Sequence, residues 1–293
     1  MSVIELNSIS KHYGTTTAIE GISFKVEEGS IFGFLGPNGA GKTTTIKIIM
    51  GLRKPSSGTV FLWGKQIVGR NIELLKKIGY VPENESIYDT FSLFELINIV
   101  KPYYPTWDSK LESVYQNKFE LPLKQKIGEF SLGMKRKVLL LLALCFKPEL
   151  LILDDPTLGL DPLTRYKFLQ LLVDTVAGEK QTVFLSSHVL GEVERVCDTI
   201  AFLKKGKLLD IKKMDELKSE DKLFRIVFQR ELTPGELTIP GLEIVESKGK
   251  FFLIKIKQNP DEVLEKLQKL PIFVIEEQEM SLEDIFVNKM EDK

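Results

Sequence analysis

The chain has 293 residues, 43% of them hydrophobic, and its 40 basic and 41 acidic residues leave a formal net charge of −1. So much apolar material supports a sizeable core and excludes a disordered chain, and the length suits one medium domain with a small one beside it. The lack of a basic excess argues against nucleic acid as the main partner and against a general pull toward an anionic membrane surface.

The first residues, MSVIELNSIS, lack the basic start and apolar run of a secretory signal. Apolar residues alternate over Val3–Leu6 and Ala18–Val26 with a turn at Tyr13-Gly14, which predicts short strands. Ile31–Leu35 is a continuous apolar run, read as a buried strand, with a helix starting near Gly41. No strand pattern appears between Glu83 and Phe130; helical stretches at Leu93–Val100 and Lys110–Phe119 flank Pro102 and Pro105, as expected of a helical insertion. Its rings (Tyr88, Phe91, Phe94, Tyr103, Tyr104, Trp107, Phe119) are expected mostly in its core. The longest apolar run, Val138–Phe146, is short of the about 20 residues a membrane crossing needs, so action on a membrane would require a partner. Buried strands are predicted at Leu150–Leu153, Thr182–Ser186 and Thr199–Leu203, and strands alternating with helices imply a parallel sheet covered on both faces. The charged stretch Asp210–Asp221 reads as a linker. Beyond it, strands at Leu223–Phe228, Glu243–Val245, Phe251–Ile256 and Ile272–Glu277 and helices at Pro260–Leu270 and Leu282–Met290 describe a small α+β domain. Cys145 and Cys197 lie in no CxxC pair and read as buried thiols.

The chemistry centres on GPNGAGKT, Gly36–Thr43, which matches G-x-x-x-x-G-K-[ST] between a predicted strand and a predicted helix. Gly36, Gly39 and Gly41 are expected to let the backbone curl so that its N–H groups face phosphate oxygens, with the positive end of the following helix aimed at the same anion. Lys42 supplies a point charge for the β- and γ-phosphates, and Thr43 a hydroxyl for Mg2+. A metal-side acid is then expected at the end of a neighbouring strand, and LLILDD offers Asp154 there, with Asp155 beside the attacking water. Taken alone, the two aspartates read equally well as an N-cap pair before a helix.

With these motifs in place the chain resembles the nucleotide-binding domain of ABC transporters over roughly residues 2–215. The resemblance implies a P-loop NTPase α/β core with an N-terminal antiparallel β subdomain, spanning 1–215 with a helical insertion at about 84–145. A small α+β accessory domain fills 216–293. It implies ATP contacts from Tyr13 on adenine and from Gly36, Pro37, Asn38, Gly39, Ala40, Gly41, Lys42, Thr43 and Thr44 on phosphate. Mg2+ would be held by Thr43, Asp154 and Glu83, and the catalytic set would be Asp155, His188 and Glu83. FSLGMKRK falls at the signature motif, whose Ser131 and Gly133 act across a dimer, and Asp161 ends the D-loop. The implied partners are a separate membrane permease, docked at a groove in the helical insertion, and a second ATPase chain, identical or related, with no nucleic acid. The implied location is the cytoplasmic face of the cell membrane. YYPTWD and the tail SLEDIF, Ser281–Phe286, resemble the export-type branch. Three departures stand out: SLGM for SGGQ, Glu83 for glutamine and Asp155 for glutamate. They set beside the transporter motor a second reading, a slow-hydrolysing ATP-gated clamp that regulates a membrane partner. A third, an ABC ATPase working on DNA or ribosomes, lacks the coiled coil, metal cluster or second phosphate loop usual in such proteins.

Overall fold

Alternation at the start of the chain builds a hairpin longer than the two predicted strands. β1 (Ser2–Tyr13) and β2 (Thr16–Glu27) pair antiparallel with Leu6 opposite Phe24 and Tyr13 opposite Thr16. Gly14, at φ 57°, supplies the left-handed turn between them. The computed structural model describes residues 1–83, 87–179, 181–220, 222–256 and 260–278. Within it the chain divides into two units, Met1–Ile211 and Lys212–Lys293.

In the first unit β3 (Ile31–Leu35), buried at every position, leads into α1 (Lys42–Ile49). After β4 (Ser57–Leu62), β5 (Lys65–Gln66) and the single turn α2 (Ile72–Leu75), the chain re-enters the core as β6 (Ile78–Val81). The helical insertion holds α3 (Leu93–Val100), α4 (Ser109–Lys118) and α5 (Leu132–Leu144). Ser92 fixes the start of α3 by a capping box: its Oγ accepts from the Glu95 N–H at 3.3 Å while Glu95 accepts from the Ser92 N–H at 2.7 Å. β7 (Leu150–Asp154), α6 (Pro162–Glu179), β8 (Thr182–Ser187), α7 (Leu190–Val196), β9 (Thr199–Lys204) and β10 (Lys207–Lys213) complete the core.

These strands form two sheets, β2-β1-β4-β5 and β10-β9-β3-β8-β7-β6. In the second, the run β9-β3-β8-β7-β6 pairs parallel throughout, so the C-terminal ends of β3, β7 and β8 share one edge. That edge is where ligands bind in open α/β sheets. Phe24 of β2 stacks on Phe32 of β3 at 5.3 Å and on Phe184 of β8 at 6.0 Å, which joins the sheets through one aromatic core.

Two expectations need correction. Asp210–Asp221 does link the two units, whose boundary falls after Ile211, but it is more ordered than expected: Asp210 to Lys213 end β10, and α8 (Met214–Glu220) follows, with Asp221 outside the described residues. Lys205 and Gly206, both at positive φ, make the two-residue turn that folds β10 back on β9, and Leu208 and Ile211 pack on the core beneath the strand's charged residues. Nor are the rings of the insertion mostly buried: Phe119 is, but Tyr88, Phe94 and Tyr103 are 71%, 57% and 71% exposed. The eight-residue α3 turns Leu93, Leu96 and Ile97 inward, which leaves Phe94 on its outer face.

The second unit is an antiparallel sheet of order β12-β13-β11-β14, from β11 (Lys222–Phe228), β12 (Leu242–Lys248), β13 (Phe251–Ile256) and β14 (Ile272–Gln278). Alternate residues Phe224, Ile226 and Phe228 of β11 and Phe252, Ile254 and Ile256 of β13 form its core with Val263 and Leu267 of α9 (Pro260–Leu267). The helix expected over Leu282–Met290 and the Ser281–Phe286 tail lie outside the described residues.

Candidate functional site

The phosphate loop leaves the buried end of β3 and is tied to its neighbours by backbone bonds. The Gly36 N–H donates to the Ser187 carbonyl at 3.3 Å, and the Gly206 N–H to the Ala40 carbonyl at 3.0 Å. Gly39 and Gly41 adopt φ 79° and 112°, the curl expected of them. Gly36 does not share that conformation; its role is close packing, because a Cβ there would lie 2.4 Å from the Leu203 carbonyl oxygen of β9. Pro37, Asn38 and Gly39 are exposed at the loop's tip, Ala40 is buried beneath, and Thr43 and Thr44 are half-buried in the first turn of α1. Gly41 caps α1 without a side-chain bond, so the N–H groups of its first turn find no side-chain acceptor at the cap.

Lys42 and Asp155 are both almost fully buried. The Lys42 Nζ donates to the Gly36 carbonyl at 2.9 Å and stands 3.3 Å from Asp155 Oδ2. The other carboxylate oxygen of Asp155 meets His188 twice, accepting from its backbone N–H at 3.1 Å and lying 2.6 Å from its Nδ1. Asp155 thus draws together the phosphate loop and the strand-end histidine. It does so from a strained backbone, at φ 43° without being glycine.

Asp154 ends β7 with no exposed surface. The Ser186 hydroxyl donates to its Oδ1 at 2.6 Å, while Oδ2 is buried without a hydrogen bond of good geometry among the described residues. Burial pushes the Asp154 carboxyl above the ordinary aspartate range; the nearby hydroxyls of Ser186 and Thr43 oppose this, and the charges of Asp155 and Glu83 add to it. An under-used carboxylate oxygen beside a threonine hydroxyl suits a hard cation whose remaining ligands come from phosphate and water. Among the described residues no three His, Cys, Asp or Glu side chains gather closely enough to hold a metal ion by themselves, so Glu83, Asp154 and Asp155 are not a preformed cage.

The other expected residues are spread around this centre. Glu83 lies two residues beyond the end of β6, close enough to act on Asp154. Ser131 caps α5, its Oγ accepting from the Met134 N–H at 3.2 Å. Leu132, in the departing signature, lies against the D-loop, so that a Cβ on Gly159 would come 2.6 Å from its Cδ2. Asp161 caps α6 by accepting from the N–H groups of Leu163 and Thr164 at 3.1 and 3.0 Å, and the Thr164 side chain and backbone amides hold its carboxyl below the usual range. Tyr13 is half-exposed with the Lys11 ammonium 5.2 Å from its ring centre. A groove of about 650 Å³ between the insertion and the segment from Met50 to Tyr80 is lined by Ile72, Tyr103, Tyr104, Leu139 and Phe146 among others.

Sequence reasoning missed three side chains. Ser186 also accepts from the Asp155 N–H at 3.1 Å. Glu192, buried on α7, takes the Thr157 hydroxyl at 2.6 Å and stands 3.2 Å from Arg165 Nε, tying α7 to the loop after Asp155. Arg136, buried on α5, donates to the Glu83 carbonyl at 2.7 Å and to the Asp155 carbonyl at 3.3 Å. Its signal was in the sequence: at helical spacing it falls on the stripe of Leu140, Ala143 and Leu144, where a charge is out of place.

The family profile described as ABC transporter matches residues 19–158, and that described as ATP-binding protein DrrA1-3-like, C-terminal domain, matches residues 213–290. The ABC transporter ATP-binding protein YtrB of Bacillus subtilis (strain 168) is 33% identical over 289 residues, 98% of each chain. The bacitracin transport ATP-binding protein BcrA of Bacillus licheniformis is 36% identical over 231 residues, 76% of this chain and 74% of that one. Among solved structures, a dimeric post-hydrolysis state of the ATP-binding cassette MJ0796, bound to ADP and Pi, superposes with a TM-score of 0.66 at 25% identity, covering 72% of this chain and 98% of the other.

Proposed function

The chain belongs to the family of ABC transporter ATP-binding proteins, and we propose that it binds MgATP and hydrolyses it in a dimer that drives a separate membrane permease of the export type. The observation that carries this reading is the meeting of Lys42, Asp155 and His188 at the shared edge of β3, β7 and β8. In this reading Lys42 moves its charge from Asp155 to the incoming β- and γ-phosphates. Asp155 Oδ2, so released, accepts a proton from the attacking water, and His188 orients the carboxylate through Oδ1. The amides from Asn38 to Thr44 cradle the anion, and Tyr13 lies under the base.

Thr43 and Asp154 would hold Mg2+, with Glu83 nearby; a bound ion would neutralise part of the phosphate charge. Ser131 and Gly133 would reach the nucleotide of a second chain, identical or related. Support comes from the apolar side chain of Leu132 between them, 58% exposed, and from the dimeric state of the MJ0796 cassette. The groove under Tyr103 and Tyr104 has the size and apolar lining to take a short helix of the permease. Among the described residues no helix is long and apolar enough to cross a membrane; in this reading the permease supplies the crossing and holds the chain at the cytoplasmic face. The name of BcrA, a bacitracin transport ATP-binding protein, supports a transport role.

A second reading, the slow ATP-gated clamp, is favoured by one observation: the acid pinned between Lys42 and His188 is aspartate, one methylene and about 1.5 Å shorter than glutamate. Steady-state ATPase activity of the wild type, Asp155→Glu and Asp155→Asn, with and without the permease, separates the two. A motor speeds up with its permease; a clamp stays slow in both conditions and quickens in Asp155→Glu. Full activity of Asp155→Asn would remove Asp155 as the base and sink both mechanisms.

A further inference from the structure

We propose that Arg136 is a positioning residue for ATP hydrolysis, a clip that holds the Glu83 and Asp155 segments in register where the strands before them part. The inference rests on Glu83 and Asp155 being acids of the ATPase site. β6 and β7 pair from Ile78↔Leu150 to Val81↔Leu153, where the ladder ends. Glu83 and Asp155 each lie two residues past the last pair, so no strand bond fixes one against the other. The Arg136 guanidinium spans that gap, giving Nη2 to the Glu83 carbonyl at 2.7 Å and Nη1 to the Asp155 carbonyl at 3.3 Å.

Asp155 needs such a hold. A non-glycine residue in the left-handed region is strained and persists only where its surroundings over-determine it. Its N–H is held by Ser186, and its carbonyl by Arg136 and by the Leu158 N–H, each at 3.3 Å. Between them these bonds set the plane from which the carboxylate turns toward Lys42 and His188. Stability does not account for the residue: a buried charge of this kind is often replaced by apolar side chains without loss, and Arg136 Nε makes no hydrogen bond among the described residues. The planar two-pronged group matters instead, because an ammonium on a flexible stem cannot grip two carbonyls in a fixed fork. Arg136 also belongs to the helix that Ser131 caps, so the clip joins the signature end of α5 to the acids of the same chain.

The test compares full-length wild type, Arg136→Met and Arg136→Lys for melting temperature, MgATP affinity, KM and kcat. Arg136→Met is expected to bind MgATP within about twofold of wild type while kcat falls on the order of tenfold to a hundredfold, as misplacement near 1 Å produces. Arg136→Lys keeps the charge among Asp154, Asp155 and Glu83 but loses the fork, and is expected to lose kcat at an unchanged melting temperature; it carries the test if Arg136→Met does not fold. Wild-type kcat in Arg136→Lys, or a loss confined to affinity, overturns the clip. A wild-type chain that does not bind MgATP at all would instead sink the functional reading on which the clip rests.

Discussion

The two units differ in what they bury. Behind the phosphate loop the first unit hides Lys42, Arg136, Asp154, Asp155 and Glu192, charged groups that a core built only for stability would exclude. In the second unit, among the described residues, the only charged side chain counted as buried is Lys255, and the core is phenylalanine, isoleucine, leucine and valine. Burying charge is expensive unless each charge meets a partner: Lys42 meets Asp155, Glu192 meets Arg165 and the Thr157 hydroxyl, Asp154 takes the Ser186 hydroxyl, and Arg136 gives to two backbone carbonyls. The contrast separates a unit organised for chemistry from one organised for packing.

The strongest challenge to that division is Phe252→Ala. Phe252 is fully buried and meets Phe228 edge-on with ring centres 5.4 Å apart. Its loss is expected to destabilise the second unit by about 3–5 kcal/mol. Calorimetry should show that loss while MgATP affinity, read by titration, stays within twofold of wild type; a matching fall in affinity would break the division.

Lys42→Ala tests the other side. Removing the ammonium strips one strong charge-assisted contact from the phosphates, worth about 1.5–3 kcal/mol, or up to on the order of a hundredfold in affinity. It also leaves Asp155 Oδ2 without its cation. Equilibrium binding with MgATP that is unchanged in this variant would refute the site.

Asp154→Asn sharpens the comparison, because here function and stability should move in opposite directions. Burial raises this carboxyl above its unfolded value. A carboxyl shifted that way favours the fold while protonated: the contribution is complete below the ordinary aspartate range and is lost as pH rises through the raised value. At neutral pH the charge therefore opposes the fold. The amide of the variant would keep an acceptor for Ser186 and drop the charge, so Asp154→Asn should stabilise the protein without nucleotide. The gain should shrink as the pH falls below the raised value, and the stabilisation conferred by MgATP should disappear. Thermal melts across pH, with and without MgATP, read all three. The smallest effect is expected for Ser131→Ala, where losing the cap on α5 costs about 1 kcal/mol of stability; a far larger loss would mean that Ser131 does more within its own chain than cap a helix.

What was legible beforehand follows the same division of burial. Glycine spacing around Lys42 and the apolar run into Asp154 announced the phosphate loop and its acids, because their local backbone geometry dictates residue type. Strands such as Ile31–Leu35 were legible because burial on both faces leaves an unbroken apolar run. Asp210 to Lys213 was not, since Leu208 and Ile211 alone mark its inner face and the lysines around them resemble a linker. Arg136 was legible in principle, on the stripe of Leu140, Ala143 and Leu144, but Lys135 and Lys137 flank it and make it look like one more charge of a solvated run. The role of Gly36 depends on a β9 carbonyl 167 residues away in sequence (203 − 36), which no local pattern encodes.

That contact has a consequence for the entropy of binding. Gly36 is pressed against Leu203, its N–H is held by Ser187, and Ala40 is held by Gly206, so the backbone that would receive phosphate is fixed by the sheet itself. Its conformational freedom is given up when the protein folds, not when a ligand arrives. Association then costs chiefly the ligand's own translational and rotational freedom and the rearrangement of a few side chains around Lys42. Any side chain at position 36 would push the loop off β9 and return part of that disorder, weakening affinity without removing a single phosphate contact.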